Sequence, residues 1–235
     1  MAKDIFRFKQ FSVSHARSAM KVGTDGVLLG AWCSVGGCRR VLDVGTGCGL
    51  IALMVAQRND AVRVDAIDVD AGAVADARSN FAASPWPERL NALETDFNAF
   101  EPDGPYDLIV SNPPFFSDSL LPPDAQRAVA RHGGLLTYDQ LVGKAAAMLT
   151  PRGMLALVTP SQARSRVLEC ASFARLTLLR MTSVQTAAGV DAKRILWEFG
   201  REPGPTATSV LAIRDASGGY SADYRRLCSG FYLEL

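Results

Sequence analysis

The chain has 235 residues, 48% of them hydrophobic, which suffices for one sizeable core because chains seldom split into domains below about 250 residues. Its 25 Lys and Arg residues against 24 Asp and Glu residues give a net charge of +1, so bulk charge neither favours nor excludes a nucleic-acid partner. The N-terminus carries charges where a signal peptide needs its apolar core, no apolar run reaches about 18 residues, and the cysteines form no CxxC pair. We therefore expect a single domain over residues 1–235 in the cytoplasm, with no membrane contact and no metal.

Residues 1–40 form a basic and aromatic N-terminal arm followed by an apolar stretch. Lys3, Arg7, Lys9, Arg17 and Lys21 outnumber one acid in the first 21 residues, and Phe6, Phe8 and Phe11 lie between them. This mixture is typical of phosphate contacts combined with base stacking, although the phenylalanines could equally pack on the domain. Residues 27–32 predict a short helix over one edge of the domain.

From Arg40 onward, apolar strands alternate with helical patterns. The pattern predicts strands over 41–44 and 62–67 and helices over 50–58 and 71–83. It continues with strands over 91–95, 108–110 and 154–158 and a helix over 138–149. Residues 194–199, 209–214 and 230–234 predict antiparallel strands at the end of the chain. We expect a Rossmann-like α/β fold with a doubly wound, mostly parallel sheet and an antiparallel C-terminal strand.

A glycine loop follows the first strand of this alternation. In Asp43-x-Gly45-x-Gly47-x-Gly49 the glycines recur at every second residue before a helix, so the backbone can approach a ligand closely. A dinucleotide fingerprint would instead read GxGxxG. The acid that precedes the glycines suits a cationic amino-acid group better than a pyrophosphate, which indicates a nucleotide-type site for S-adenosylmethionine.

Two further acids stand where the next two strands are expected to end. Asp68 can accept hydrogen bonds from both ribose hydroxyls, with Asp70 as its rival, and Asp96 can accept from the adenine amine. Phe97 or Ile67 would pack against the adenine ring. Taken alone, the glycine loop could be only a tight turn, and Asp68 and Asp96 could be only solvated acids. The loop and both acids together, at this spacing, favour the cofactor site.

The sequence Asn112-Pro113-Pro114-Phe115 follows the apolar strand over 108–110 and carries the predicted chemistry. The nitrogen of an amide or an adenine amine is a poor nucleophile, because its lone pair is delocalised. The Asn112 side-chain oxygen and the Pro113 carbonyl can accept the two amino hydrogens and direct the lone pair at a methyl group. Pro113 and Pro114 rigidify these acceptors, and Phe115, together with Phe116, would stack on an extruded base. We therefore expect Asn112 to act in catalysis and also to contact the cofactor. We expect the reaction to need no metal and to form no covalent intermediate.

At this point the chain resembles class I methyltransferases of the N6-adenine type. It is most similar to the bacterial family that methylates the adenine beside the anticodon of a valine tRNA. The resemblance lies in residues 8–11, 19–32, 84–86 and 111–115, in the glycine loop, and in Tyr220 and the C-terminal residues 231–233. It implies tRNA as the partner and residues 21–26 as a cover over the methionine end of the cofactor, where Lys21 and Thr24 could bind its carboxylate.

The match is weakest in residues 116–137, which carry Arg127, Arg131 and His132. Three alternatives stay open. Enzymes that methylate a glutamine amide in translation release factors share Asn-Pro-Pro-aromatic, but they usually have a helical N-terminal domain for which about 40 residues are too few. A guanine-N2 methyltransferase of ribosomal RNA is the second alternative, and a catalytically silent RNA-binding protein is the third.

Overall fold

The computed structural model of the chain describes residues 4–18, 20–113 and 136–235. An N-terminal hairpin precedes an eight-stranded sheet. The hairpin consists of the antiparallel strands β1 (Ile5–Arg7) and β2 (Ser12–Ser14). The sheet strands are β3 (Arg40–Val44), β4 (Arg63–Asp68), β5 (Leu90–Glu94), β6 (Tyr106–Ser111), β7 (Leu149–Pro160), β8 (Thr177–Ala187), β9 (Arg194–Gly200) and β10 (Ala207–Arg214).

Helices cover both faces of the sheet. They are α1 (Thr24–Trp32), α2 (Leu50–Arg58), α3 (Ala71–Ala82), α4 (Tyr138–Met148), α5 (Arg164–Phe173) and α6 (Ala222–Cys228). Short 3-10 turns occupy Pro87–Arg89 and Ser161–Ala163. Because neighbouring residues of a strand point to opposite faces, Val41 packs in a core with α1, α2 and α3, whereas Leu42 packs in a second core with α4 and α5.

The strand order is β10-β8-β9-β7-β6-β3-β4-β5. The strands β5, β4, β3, β6 and β7 are mutually parallel, and β9 is antiparallel to both β7 and β8. From β3 the chain proceeds outward to β4 and β5 and then returns to place β6 on the other side of β3. Ligands of open α/β sheets bind at such a reversal, outside the carboxyl ends of the strands.

Local sequence explains where two of the helices begin. The Asp70 side chain accepts a hydrogen bond from Gly72 N at 2.8 Å and so caps α3. Thr137 and Gln140 form a reciprocal capping box at the start of α4. Helix α2 has no side-chain cap, and residues 50–56 of it are all buried, so tertiary packing supplies most of its stability.

The C-terminal part of the chain differs from the sequence prediction. Strand β10 lies at the sheet edge and is parallel to β8, not antiparallel. Residues 230–234 do not form a strand: Tyr232 makes one isolated bridge to Phe8, and helix α6 precedes it. Strand β8 and helix α5 were not predicted. Helix α5 buries only Val167, Cys170 and Ala171 and so carries a weak apolar pattern.

In the N-terminal arm, Phe8 and Phe11 follow the second of the two alternatives left open by the sequence, packing on the domain. Phe8 and Phe11 are only 4% and 5% exposed and stack on each other with ring centroids 4.7 Å apart. Tyr232 packs beside Phe8, and Trp86 packs edge-on against Phe11. These two rings belong to the core and do not offer faces for base stacking. Helix α1 packs against α2 on one face of the sheet and does not cover an edge.

Candidate active site

A cavity of about 650 Å³ lies at the carboxyl ends of β3, β4, β5 and β6, the size range of small-molecule and cofactor sites. Its remaining wall comes from the segment that leads into α1. Of the residues predicted to bind or act, the cavity is lined by Lys21, Thr24, Gly45, Gly47, Asp68, Asp96, Phe97, Asn112 and Pro113. The fold thus gathers at one place residues that are spread over more than ninety positions of sequence.

The glycine loop turns sharply beneath the cavity. Gly45 N and Thr46 N both donate to Ile67 O, at 2.9 and 3.0 Å, which holds the loop against the end of β4. Gly45 and Gly47 have φ values of +70° and +55°, and a Cβ on either would meet nothing within 4 Å. The backbone on this side of the loop therefore faces open space in the cavity.

Gly49, also predicted to bind the cofactor, does not line the cavity. Its φ is +83°, and a Cβ there would lie 2.4 Å from Cε1 of Phe81 in α3. Gly49 is needed where α2 and α3 pack together, because no side chain fits between it and the Phe81 ring.

Asp43 is fully buried behind the loop and does not line the cavity. Its Oδ2 accepts from Thr46 Oγ1 at 2.7 Å and from Ala52 N at 3.2 Å. The second acceptance satisfies one of the unpaired amides in the first turn of α2. Its Oδ1 has no hydrogen-bond partner among the described residues, and burial raises the pKa of this carboxyl to about 7.

The acids at the ends of β4 and β5 do reach the cavity. Asp68 is oriented by two backbone amides: its Oδ2 accepts from Gly47 N at 2.8 Å and its Oδ1 from Asp70 N at 3.0 Å. Asp70 lines the cavity as well, but one of its carboxylate oxygens caps α3. Asp96 accepts from Asn98 N at 2.8 Å. A carboxylate has about four acceptor positions, so Asp68 and Asp96 both keep acceptor capacity for a ligand.

Asn112 and Pro113 stand at the end of β6. The hydroxyl of the preceding Ser111 donates to Val44 O at 2.8 Å and ties the end of β6 to the end of β3. Asn112 Nδ2 lies 3.7 Å from the sulfur of Met20, and its Oδ1 has no hydrogen-bond partner within the described part of the chain. This Oδ1 is a spare acceptor at the predicted reaction centre. Pro114, Phe115 and Phe116 lie outside the described residues, as do Arg127, Arg131 and His132.

The predicted cover over residues 21–26 does line the cavity, and the lining extends further toward the N-terminus than predicted. Ser18, Met20, Gly23 and Asp25 reach the cavity together with Lys21 and Thr24. Arg194 at the start of β9 donates to Asp25 Oδ2 at 2.7 Å. Ser18 and Met20 lie outside the predicted cover, since their positions depend on contacts with the distant residues Asp76 and Asn112.

The described residues hold neither a candidate metal centre nor a candidate membrane span. Across the described ranges, no three or more His, Cys, Asp or Glu side chains gather where they could hold a metal ion. In the same part of the chain, no helix combines the length and the apolar character needed to cross a bilayer.

Comparison with known proteins identifies close full-length relatives. A family model described as the methyltransferase small domain matches residues 28–183. The tRNA1(Val) (adenine(37)-N6)-methyltransferase of Phocaeicola vulgatus is 44% identical over 235 residues, covering 100% of both chains. The protein of the same name from Aeromonas hydrophila is 46% identical over 231 residues, covering 98% of each.

Solved structures agree on the fold. A predicted O-methyltransferase from Agrobacterium tumefaciens has a TM-score of 0.68 at 20% identity, covering 88% of this chain and 96% of its own. A ribosomal protein L11 methylase from Lactobacillus delbrueckii has a TM-score of 0.55 at 18% identity, covering 76% of this chain and 78% of its own. The predicted doubly wound, mostly parallel α/β fold of the class I methyltransferases is confirmed.

Proposed function

This chain belongs to the tRNA1(Val) (adenine(37)-N6)-methyltransferase family, and on that basis we propose that it methylates N6 of adenine 37 in a valine tRNA. The observation that carries the proposal is that one cavity brings together the glycine loop, the carboxylates of Asp68 and Asp96, and Asn112-Pro113. The relatives favour this reaction over the methylation of a release-factor glutamine or of a ribosomal guanine. We further propose that residues 1–235 act as one domain in the cytoplasm, where tRNA is found.

The residues of the cavity fit S-adenosylmethionine. Its adenosine and amino-acid parts need acceptors for hydroxyl and amine hydrogens and an apolar surface for the ring. The carboxylate of Asp68 would accept from the ribose hydroxyls and that of Asp96 from the adenine amine. Phe97, which is buried at the cavity wall, would pack against the adenine ring. Lys21 and Thr24 would bind the carboxylate of the cofactor's methionine part. The open backbone at Gly45 and Gly47 leaves room for the part of the cofactor that joins the methionine to the adenosine.

Asp43 takes an indirect role in this proposal. Because it bonds to Thr46 and to the first turn of α2, it holds the glycine loop in the shape that admits the cofactor. Gly49 does the same by allowing α3 to pack against the loop.

When bound, S-adenosylmethionine supplies an electrophilic methyl group on a sulfonium. Asn112 Oδ1 and the Pro113 carbonyl would accept the two hydrogens of the adenine N6 amine, so that the nitrogen lone pair points at the methyl carbon. With the amine held in this way, its nitrogen would take the methyl group as the thioether leaves, and the extra proton would pass to solvent. No strong base is needed, because the amine becomes acidic once it carries the methyl group. Pro114 and Phe115 stay predictions for rigidity and base stacking.

The test is methyl transfer from labelled S-adenosylmethionine to total tRNA from a strain that lacks this gene. Nuclease digestion and mass spectrometry would locate the product. We expect N6-methyladenosine beside the anticodon of a valine tRNA, and no product with Asn112→Ala under the same conditions. Label on a release-factor glutamine, on guanine, or on no substrate at all would refute the proposal, and the last result would favour a silent RNA-binding protein.

A further inference from the structure

Helix α3 makes a set of buried contacts with the N-terminal segment that the proposed reaction does not use. Asp76, in the middle of α3, is only 4% exposed. Its Oδ2 accepts three hydrogen bonds: from Arg17 N at 2.8 Å, from Ser18 N at 2.9 Å and from Ser18 Oγ at 3.0 Å. Three donors converge on one carboxylate oxygen, which compensates for much of the cost of burying the charge.

Asn80 continues this contact one turn later on the same face of α3. Its Oδ1 accepts from Ser14 N at 2.8 Å, and its Nδ2 donates to Ser14 O at 2.8 Å. The same Nδ2 donates to Cys48 O in the glycine loop, also at 2.8 Å. One helix face therefore holds two walls of the cavity, the N-terminal segment and the glycine loop.

Among the described residues, the cavity wall between Ser18 and α1 has few other polar contacts. Its far end is anchored where α1 begins at Thr24 and packs against α2. Between these points, Met20 lies 3.7 Å from Asn112 Nδ2. Lys21 lies 4.0 Å from Asp4, with both side chains well exposed at 68% and 45%. Such an exposed ion pair contributes little, so the hydrogen bonds to Asp76 are the main polar contacts that set the position of Ser18 and the residues after it.

We propose that Asp76, supported by Asn80, is a positioning residue for the cofactor cavity. It acts through the backbone of Arg17 and Ser18, and thereby sets where Lys21 and Thr24 stand relative to the glycine loop. The proposal rests on the proposed function, because it assumes that this cavity takes S-adenosylmethionine. The role requires an acceptor with the shape of a carboxylate, and a charged oxygen accepts amide hydrogens more strongly than an amide oxygen does.

The test compares Asp76→Ala, Asp76→Asn and a matched control, Thr182→Ala. Thr182 is also 4% exposed and hydrogen-bonded, to Trp32 Nε1 at 3.0 Å and to Ser209 Oγ at 2.8 Å. It does not line the cavity. The control therefore reports the effect of losing a buried polar side chain elsewhere in the fold.

Two measurements need no tRNA. Calorimetric titration with S-adenosylhomocysteine should give a Kd about tenfold higher for Asp76→Ala and about threefold higher for Asp76→Asn, whose amide oxygen keeps weaker versions of the same bonds. Without ligand, trypsin should cleave after Arg17 and Lys21 faster in Asp76→Ala than in the wild type. Thr182→Ala should match the wild type in both measurements. In turnover, KM for S-adenosylmethionine should rise while kcat at saturating cofactor stays within about threefold.

Each other outcome has a definite meaning. A wild-type Kd and a wild-type cleavage rate in folded Asp76→Ala would refute the positioning role, as would an equal effect of Thr182→Ala. If Asp76→Ala does not fold, Asp76→Asn decides by the same two measurements. A wild-type chain that does not bind S-adenosylhomocysteine would refute the proposed function itself.

Discussion

Replacing Gly49 with alanine should lower the unfolding free energy. The structure separates this loss into two parts. The first part is backbone strain: at φ +83°, an L-residue costs about 1–2 kcal/mol. The second part is a clash, because the new Cβ would lie 2.4 Å from Cε1 and 2.9 Å from Cζ of Phe81 and 3.3 Å from Cβ of Ala77. Phe81 is 3% exposed, so a shift of its ring disturbs the buried residues around it, and overpacking adds about 1–3 kcal/mol.

Gly37 offers a matched control for the strain alone. Its φ is +78°, close to that of Gly49, and a Cβ there would meet nothing within 4 Å. We therefore expect Gly37→Ala to cost about 1–2 kcal/mol and Gly49→Ala about 2–5 kcal/mol. The latter is a large share of a typical unfolding free energy of about 5–15 kcal/mol.

The assay is urea denaturation followed by tryptophan fluorescence, with both variants and the wild type measured in one buffer. A third variant, Gly49→Ala combined with Phe81→Leu, should lose less stability than the sum of the two single changes, because the smaller side chain relieves the clash. Equal losses for Gly49→Ala and Gly37→Ala, or strict additivity in the double variant, would refute the packing argument.

Three further predictions concern the cavity and its surroundings. Gly47→Ala should lower the unfolding free energy by only about 1–2 kcal/mol, yet weaken S-adenosylhomocysteine binding in calorimetry, since its Cβ would enter the cavity; unchanged binding would contradict this. Asn112→Ala should lower kcat more than it raises the cofactor Kd, whereas Asp68→Ala should raise the cofactor Kd first; equal loss of both quantities in either variant would undercut this division of roles. Burial raises the pKa of Asp43 from 3.8 to about 7, so its carboxyl keeps a proton in the native state that the unfolded chain releases. Its contribution to the unfolding free energy is thus full below about pH 4 and falls as the pH rises towards 7. The urea midpoint of the wild type should therefore fall over this pH range relative to that of Asp43→Asn. Parallel curves of midpoint against pH for the two proteins would exclude this contribution.

The sequence predicted best those features that depend on neighbouring residues. The helix over 50–58 begins and ends as predicted, and the one over 71–83 ends one residue earlier in the structure, because apolar periodicity and the Asp70 cap are local signals. The strands that end at Asp68 and near Asp96 were likewise predicted to within a few residues. The rule that parallel strands present their carboxyl ends at one edge then sufficed to bring these acids and Asn112 to one site.

The sequence did less well where local and tertiary signals diverge. Residues 230–234 are apolar and aromatic enough to predict a strand, yet Phe231 and Tyr232 pack among the N-terminal aromatic rings instead of joining the sheet. Phe8 and Phe11 could have faced RNA or the core with the same local pattern. Their burial depends on Trp86 and Tyr232, which are far away in the chain.

By itself, then, the sequence determined the alternation of strands and helices, the glycine loop and the chemical character of the acids and of Asn112-Pro113, since all of these are properties of residue type and short-range spacing. Only the tertiary structure decided that Asp43 and Gly49 stand behind the cavity, that the phenylalanines of the arm are buried, and that Asp76 holds the segment of Ser18. Each of these outcomes depends on contacts between residues far apart in the chain, such as the 58 positions between Ser18 and Asp76. Packing selects such contacts only when the whole fold is assembled.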